Sequence, residues 1–200
     1  MKTIIFYFLI IVILVSCYPG GLENYQETDV VFTEYDQEFD FKSKQTYAMP
    51  DNVVKVSGNI VEGELPDFIE EPYNSQIIER IENNLTNLGW ERVDDPETAD
   101  VVLLPASWTN TTVYYWYDYW CWYYYWYCGW GWYWYPTVSV GAYTTGTLVM
   151  TMVVDGDEYI DPARVWTGAI NGLLSGVQNG TRLNNGIDQA FIQSPYLKIN

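Results

Sequence analysis

Gly146 to Asp155 reads GTLVMTMVVD, and its apolar side chains are not confined to one side. Successive residues of a strand point to opposite faces, so Leu148, Met150, Met152 and Val154 share one face while Val149 and Val153 share the other with Thr151. A strand that is apolar on both faces lies inside a sheet and carries cover on both sides. Asp155-Gly156 supplies hairpin-turn chemistry, and Arg164 to Ile170 (RVWTGAI) follows as the return strand, with Val165 and Trp166 expected on opposite faces. Upstream, Ala99 to Trp108 (ADVVLLPASW) predicts a second long buried strand.

Further from this centre the elements shorten. Val30 to Ala48 (VVFTEYDQEFDFKSKQTYA) predicts one or two strands with a turn near Lys42-Ser43-Lys44. Met49 to Glu71, rich in Pro, Gly and acids, predicts mostly loop, with a short strand at Val53 to Val56. Between Tyr73 and Leu88 the apolar residues Ile77, Ile78, Ile81, Leu85 and Leu88 recur at helical spacing, with Pro72 near the start and Gly89 past the end. Trp90 to Val93 predicts a short strand and Asp94-Asp95-Pro96 a turn. A second helix is expected over Thr181 to Gln193, where Leu183, Ile187, Ala190, Phe191 and Ile192 form the stripe and Pro195 stops it. Two helices are too few for a doubly wound parallel sheet. The order of elements predicts an α+β fold: two layers, a mostly antiparallel sheet, two main helices on one face and a protruding aromatic β-ribbon.

The N-terminus reads as an address. Lys2 precedes an apolar run from Ile4 to Val15, shorter than the roughly 20 residues that span a bilayer, so residues 1–16 are expected to be a signal peptide. Leu14-Val15-Ser16-Cys17 has the form of a bacterial lipobox, which makes Cys17 the expected site of lipidation with palmitate-type acyl chains. Residues 17–28 follow as a lipidated, flexible tether, and 29–200 as a single domain containing an aromatic-rich hairpin at 108–141. Tyr rather than Asp at position 18 points to the outer membrane, on either its periplasmic or its surface face.

Composition excludes several function classes. A net charge of −17 leaves no basic surface for nucleic acid. The chain has no histidine, the commonest general base and transition-metal ligand, and no metal or other cofactor is expected. Asp155, Asp157, Glu158 and Asp161 cluster around Gly156 without EF-hand spacing, and Glu70-Glu71 and Asp94-Asp95 sit at element boundaries. Ser175 lacks the spacing of a nucleophile elbow.

Tyr114 to Tyr135 (YYWYDYWCWYYYWYCGWGWYWY) stands apart from the rest of the chain. Its tryptophans, Trp116, Trp120, Trp122, Trp126, Trp130, Trp132 and Trp134, all fall at even positions, which is the period of a β-ribbon. A hairpin with Tyr124 and Tyr125 at its tip sets Cys121 against Cys128, Trp122 against Tyr127 and Trp116 against Tyr133, although Tyr-Tyr is poor turn chemistry. With Cys17 taken by lipid, Cys121 and Cys128 are the candidate disulfide. Three roles are open to the ring-rich surface: packing on its own domain, stacking on an envelope glycan, or resting at a membrane interface or another envelope protein.

Taken together these pieces resemble the lipoprotein family called domain of unknown function 4136. The resemblance is carried by the lipobox, Thr33-Glu34-Tyr35-Asp36 with Phe39-Asp40-Phe41 and Thr46-Tyr47, Leu88-Gly89-Trp90, Ala99-Asp100-Val101-Val102, the aromatic stretch, Gly146-Thr147-Leu148 and Val165-Trp166-Thr167-Gly168. It implies an envelope lipoprotein with a compact α+β domain; no activity or catalytic set is established for the family as a whole, so Cys17 alone is carried over as a functional residue. The functional expectation is a non-enzymatic cell-envelope lipoprotein, held to the membrane through Cys17, that binds or assembles through the aromatic ribbon. The alternative is an enzyme on envelope glycans that uses acidic catalytic residues.

Overall fold

The computed structural model describes residues 30–56, 67–108, 146–154, 163–174 and 180–199. In chain order the elements are β1 (Val30–Tyr35), β2 (Thr46–Ala48), β3 (Val54–Val56), α1 (Tyr73–Asn87), β4 (Glu91–Arg92), β5 (Val101–Trp108), β6 (Thr147–Val154), β7 (Ala163–Asn171) and α2 (Gly180–Ile192). The strands form one mixed, mostly antiparallel sheet in the order β1-β7-β6-β5-β2-β4. The fold is α+β, as the pattern of elements predicts.

The long antiparallel ladders lie where the sequence is apolar on both faces. Pairing of β5 with β6 runs from Val102↔Val153 to Trp108↔Thr147, and β6 continues into β7 and β7 into β1. Beyond β5 the pairing changes sense. β2 and β3 both run parallel to β5, β2 against Val101 and Val102 and β3 against Ala106 to Trp108, while β4 runs parallel to β2. These parallel strands are two or three residues long, too short for their sequence to carry an alternation from which direction could be read.

Both faces of β5 and β6 are closed to solvent, as the apolar strands require. On one face Leu103, Leu148, Met150, Met152, Trp166 and Ile170 pack with Ile77, Ile81 and Leu85 of α1 and Leu183, Ile187 and Phe191 of α2. On the other, Val54, Val56, Val102, Leu104, Ala106, Trp108, Val149, Val153 and Ala169 form a second buried cluster to which neither helix contributes. The two helices are joined by Arg80, whose guanidinium makes a two-pronged ion pair with Asp188, and by Gln76, which donates to Gly180 O and Asn184 Oδ1.

One expectation about side-chain direction is corrected. Met152 pairs with Trp166 but Val153 pairs with Arg164, so Val165 is an extra residue in β7 with no partner on β6. A bulge sets two residues against one, and Val165 and Trp166 both join the core cluster that contains the helices instead of dividing between the faces.

Candidate functional site

The aromatic tract is inserted where the sheet is most deeply buried. β5 ends at Trp108 and β6 begins at Thr147; their opposing residues are buried along the whole ladder. Gly146 N donates to Trp108 O at 2.7 Å, so the chain leaves for residues 109–145 and returns at a single closed point. Gly146 holds φ 84°, a left-handed conformation open to glycine without strain, and its carbonyl accepts from Leu174 N at 2.8 Å. Thr147 Oγ1 donates to Asn171 Oδ1 at 2.7 Å, tying β6 to the end of β7. Below them Arg182, buried in α2, donates to Gly172 O at 2.8 Å and fixes the turn after β7 to the helix layer.

Val56, the last residue of β3, pairs with Trp108. Three strand ends and two turns therefore converge on the base from which the ring-rich segment departs. The sequence places the rings; it does not show that Arg182, Asn171 and Gly146 brace their base, because each contact spans elements distant in the chain.

The candidates on the tract itself, Cys121, Cys128, Trp116, Trp120, Trp122, Trp126, Trp130, Trp132 and Trp134, lie outside the described residues. So do Cys17, the signal peptide and tether, Ser175, and the acids Asp155, Asp157, Glu158 and Asp161. No described helix is long and apolar enough to cross a membrane. Among the described residues no group of three or more Cys, Asp or Glu gathers at metal-binding distance.

Two of the acids considered for catalysis, Glu71 and Asp95, bind backbone N–H groups. Glu71 accepts from Ser75 N and from Asn74 at the start of α1, and its carboxyl is held below the usual range chiefly by those bonds to Ser75. Asp95 caps the short turn Pro96–Thr98 by accepting from Glu97 N at 3.0 Å.

Other ionic contacts sit at the parallel side of the sheet. Arg92 of β4 reaches Glu82 on α1, Asp51 and Met49 O, binding the end of the sheet to the helix layer. Tyr47 in β2 has its phenol pushed up to about 12 by burial, reinforced by the nearby Glu82 carboxylate and opposed by Arg92. Asp100 receives the N–H groups of Gln45 and Thr46 and the Thr46 hydroxyl, all at 2.9–3.0 Å. Partial burial raises its pKa, but those bonds, with the charge of Lys44, outweigh burial and hold it below the ordinary range. Arg92 and Asp100 are both engaged in joining elements.

The family model described as Domain of unknown function (DUF4136) matches residues 31–196. The chain belongs to the DUF4136 family. A DUF4136 family protein from Bacteroides thetaiotaomicron VPI-5482, known from its crystal structure, has 25% sequence identity and a TM-score of 0.65, covering 86% of this chain and 98% of that one. The PelC dodecamer from Paraburkholderia phytofirmans matches at 12% identity and a TM-score of 0.40 over 86% of this chain and 99% of its own. A PDZ domain protein from Parabacteroides distasonis ATCC 8503 matches at 16% identity and a TM-score of 0.36, over 86% of this chain and 35% of its own. No curated protein matches the sequence.

The DUF4136 match begins within β1 and ends just past α2. It takes in both the described sheet and the aromatic segment inserted between β5 and β6.

Proposed function

We propose that this DUF4136 chain is a non-enzymatic outer-membrane lipoprotein, anchored through Cys17, that binds an envelope glycan with the aromatic segment at residues 109–145. The observation that carries the reading is the base of that segment. The bond from Gly146 N to Trp108 O closes it at the end of two buried strands, and the braces through Asn171, Gly172 and Arg182 fix that end to the core. A binding surface is most effective when its support is already ordered, because less freedom is then lost on contact. Trp and Tyr supply flat amphipathic faces of the kind that stack on sugar rings.

Pull-down of the mature chain with purified peptidoglycan and with outer-membrane extract tests this directly. Replacing Trp120, Trp122 and Trp132 together with Ala is expected to abolish retention while leaving the far-UV circular dichroism unchanged. Equal retention of wild type and variant would end the glycan reading. The anchor is tested separately: Cys17→Ala is expected to move the protein from the membrane to the soluble fraction, and mass spectrometry of the wild type to show diacylglycerol on Cys17.

A further inference from the structure

Among the described residues the outer edge of β1 is unpaired, and its exposed side chains include Val30, Phe32 and Tyr35. Asp36 N donates to Val165 O at 2.9 Å, extending the β1–β7 ladder by one position. Hydrogen-bonded and non-bonded pairs alternate along an antiparallel ladder. The backbone groups of Val30, Phe32 and Glu34 therefore face β7, and those of Val31, Thr33 and Tyr35 turn outward. No described strand lies beyond β1. Val30 is 61% and Phe32 51% exposed, and Phe32 pairs with Ala169 of the cluster that excludes the helices. Natural edges are blunted with charged side chains, Pro or a bulge; VVFTEY has no Pro, its register to β7 is unbroken, and its one charge, Glu34, is paired to Arg164 of β7 at 3.4 Å.

The strand also specifies what fits it. Any antiparallel partner must bring its own outward groups against those of Val31, Thr33 and Tyr35, and a second copy of β1 does so in a small set of registers. With Thr33 against Thr33, each Phe32 faces a Glu34 carboxylate. With Glu34 against Glu34, like charges are directly opposed. With Val31 against Val31, Phe32 faces Val30 but the overlap shortens. With Phe32 against Phe32, both half-exposed rings meet in a non-hydrogen-bonded pair, where side chains approach most closely, Val31 and Thr33 exchange backbone bonds, and Glu34 faces Val30 while it keeps Arg164 of its own chain at 3.4 Å.

We propose that β1 pairs antiparallel with β1 of a second copy of this chain, Phe32 against Phe32, so that two sheets run on as one. A ladder of this length covers less than the roughly 800 Å² per partner of a standard stable interface, so the association is weak and concentration-dependent. The charge of −17 on each copy opposes it, so it tightens with salt.

Sedimentation of the purified full chain in detergent, from about 1 µM to about 1 mM at low and high salt, reads the effect in the range expected of weak interfaces. A monomer–dimer equilibrium that shifts toward dimer with salt is expected. Phe32→Lys and Thr33→Pro are each expected to raise the dissociation constant at least about tenfold. Neither removes a bond to β7, since the Phe32 side chain is half exposed and the Thr33 N–H points outward; unchanged circular dichroism confirms folding. In the register proposed, Cα atoms of opposed non-hydrogen-bonded residues lie about 4.5 Å apart, within disulfide range. Under oxidation Phe32→Cys should therefore give a covalent dimer beyond the wild-type background, and Thr33→Cys should not. A wild type that stays monomeric at high salt, a dimer that survives both blocking variants, or cross-linking at position 33 instead of 32 overturns the proposal. So does a monomeric wild type that holds another envelope protein and releases it on Thr33→Pro.

Discussion

The indole N–H of Trp166 donates to Ser194 Oγ at 2.9 Å, and both residues are fully buried. Ser194 in turn donates to Ala190 O and accepts from the Tyr196 hydroxyl at 3.1 Å. Tyr196 stacks on Tyr35 with ring centroids 3.7 Å apart. One small hydroxyl thus joins β7, the end of α2 and the C-terminal turn to β1. Ser194→Ala removes the acceptor for an indole N–H that has no route to water, and leaving a buried donor unsatisfied costs about 1–3 kcal/mol. The urea midpoint is expected to fall by that equivalent with an unchanged slope. A loss under about 0.5 kcal/mol would show that the indole finds another partner.

Trp166 also explains a glycine. Trp166 and Gly168 point to the same face of β7, and a Cβ at Gly168 would lie 2.7 Å and 2.9 Å from two atoms of the indole ring and 3.2 Å from Met150 Cε. The ring lies over the bare backbone of its second neighbour, held there by the bond to Ser194. Gly168→Ala is therefore expected to destabilise by about 1–3 kcal/mol, despite the higher strand entropy cost of glycine. Near-UV circular dichroism should report a displaced tryptophan. If stability rises and that spectrum is unchanged, the ring has room that the packing denies.

The Val165-Trp166-Thr167-Gly168 stretch shows how far the sequence can be read. Its alternation placed a strand there, and the same logic located every long strand and both helices, because each buries a periodic stripe. The bulge at Val165 was not legible, since it depends on how β7 registers with β6. The parallel pairings of β2, β3 and β4 were hidden for a related reason: two or three residues carry no period, and their direction is set by Asp100 gripping Gln45 and Thr46 and by Arg92 reaching Glu82 and Asp51. A lone arginine and a lone aspartate give no local signal. At the candidate site, the ring-rich composition of the insertion was plain from the sequence, whereas its braced base required the register of β3, β5, β6 and β7 together.

Thr167 presents the reverse case to Ser194. It is buried on the face away from the helices, and its Oγ1 has no hydrogen-bond partner. A hydroxyl buried without a bond gives up its hydration and gains nothing in return. Thr167→Val keeps the β-branched shape and removes that cost, so the variant is expected to be more stable by about 1 kcal/mol, raising Tm by about 2–4 °C for a domain of this size. A lower Tm would show that the hydroxyl is satisfied in solution.

The bridge between the two helices gives stability a pH dependence of defined sign. Asp188 Oδ1 accepts from Arg80 Nε at 2.6 Å and from Asn84 Nδ2 at 2.9 Å. Partial burial raises the carboxyl's pKa, but the bonds from Arg80 and Asn84, with the Arg80 charge, outweigh burial and hold it below its ordinary value. Because the folded pKa is depressed, the bridge contributes its full stability above the unfolded value of about 4, and that contribution is lost as pH falls through the folded value. Asp188→Asn is therefore expected to lower the urea midpoint at pH 7, and the gap to wild type should narrow as pH falls from about 4 toward 2. Arg80 is more than a third exposed, so solvent screens the pair and the gap at pH 7 is modest. Asp100→Asn should follow the same direction, since Asp100 is also depressed and binds the β2 backbone. A gap for Asp188→Asn that stays constant down to pH 2 would assign the loss to the geometry of the helix contact and remove the charge of Asp188 as its cause.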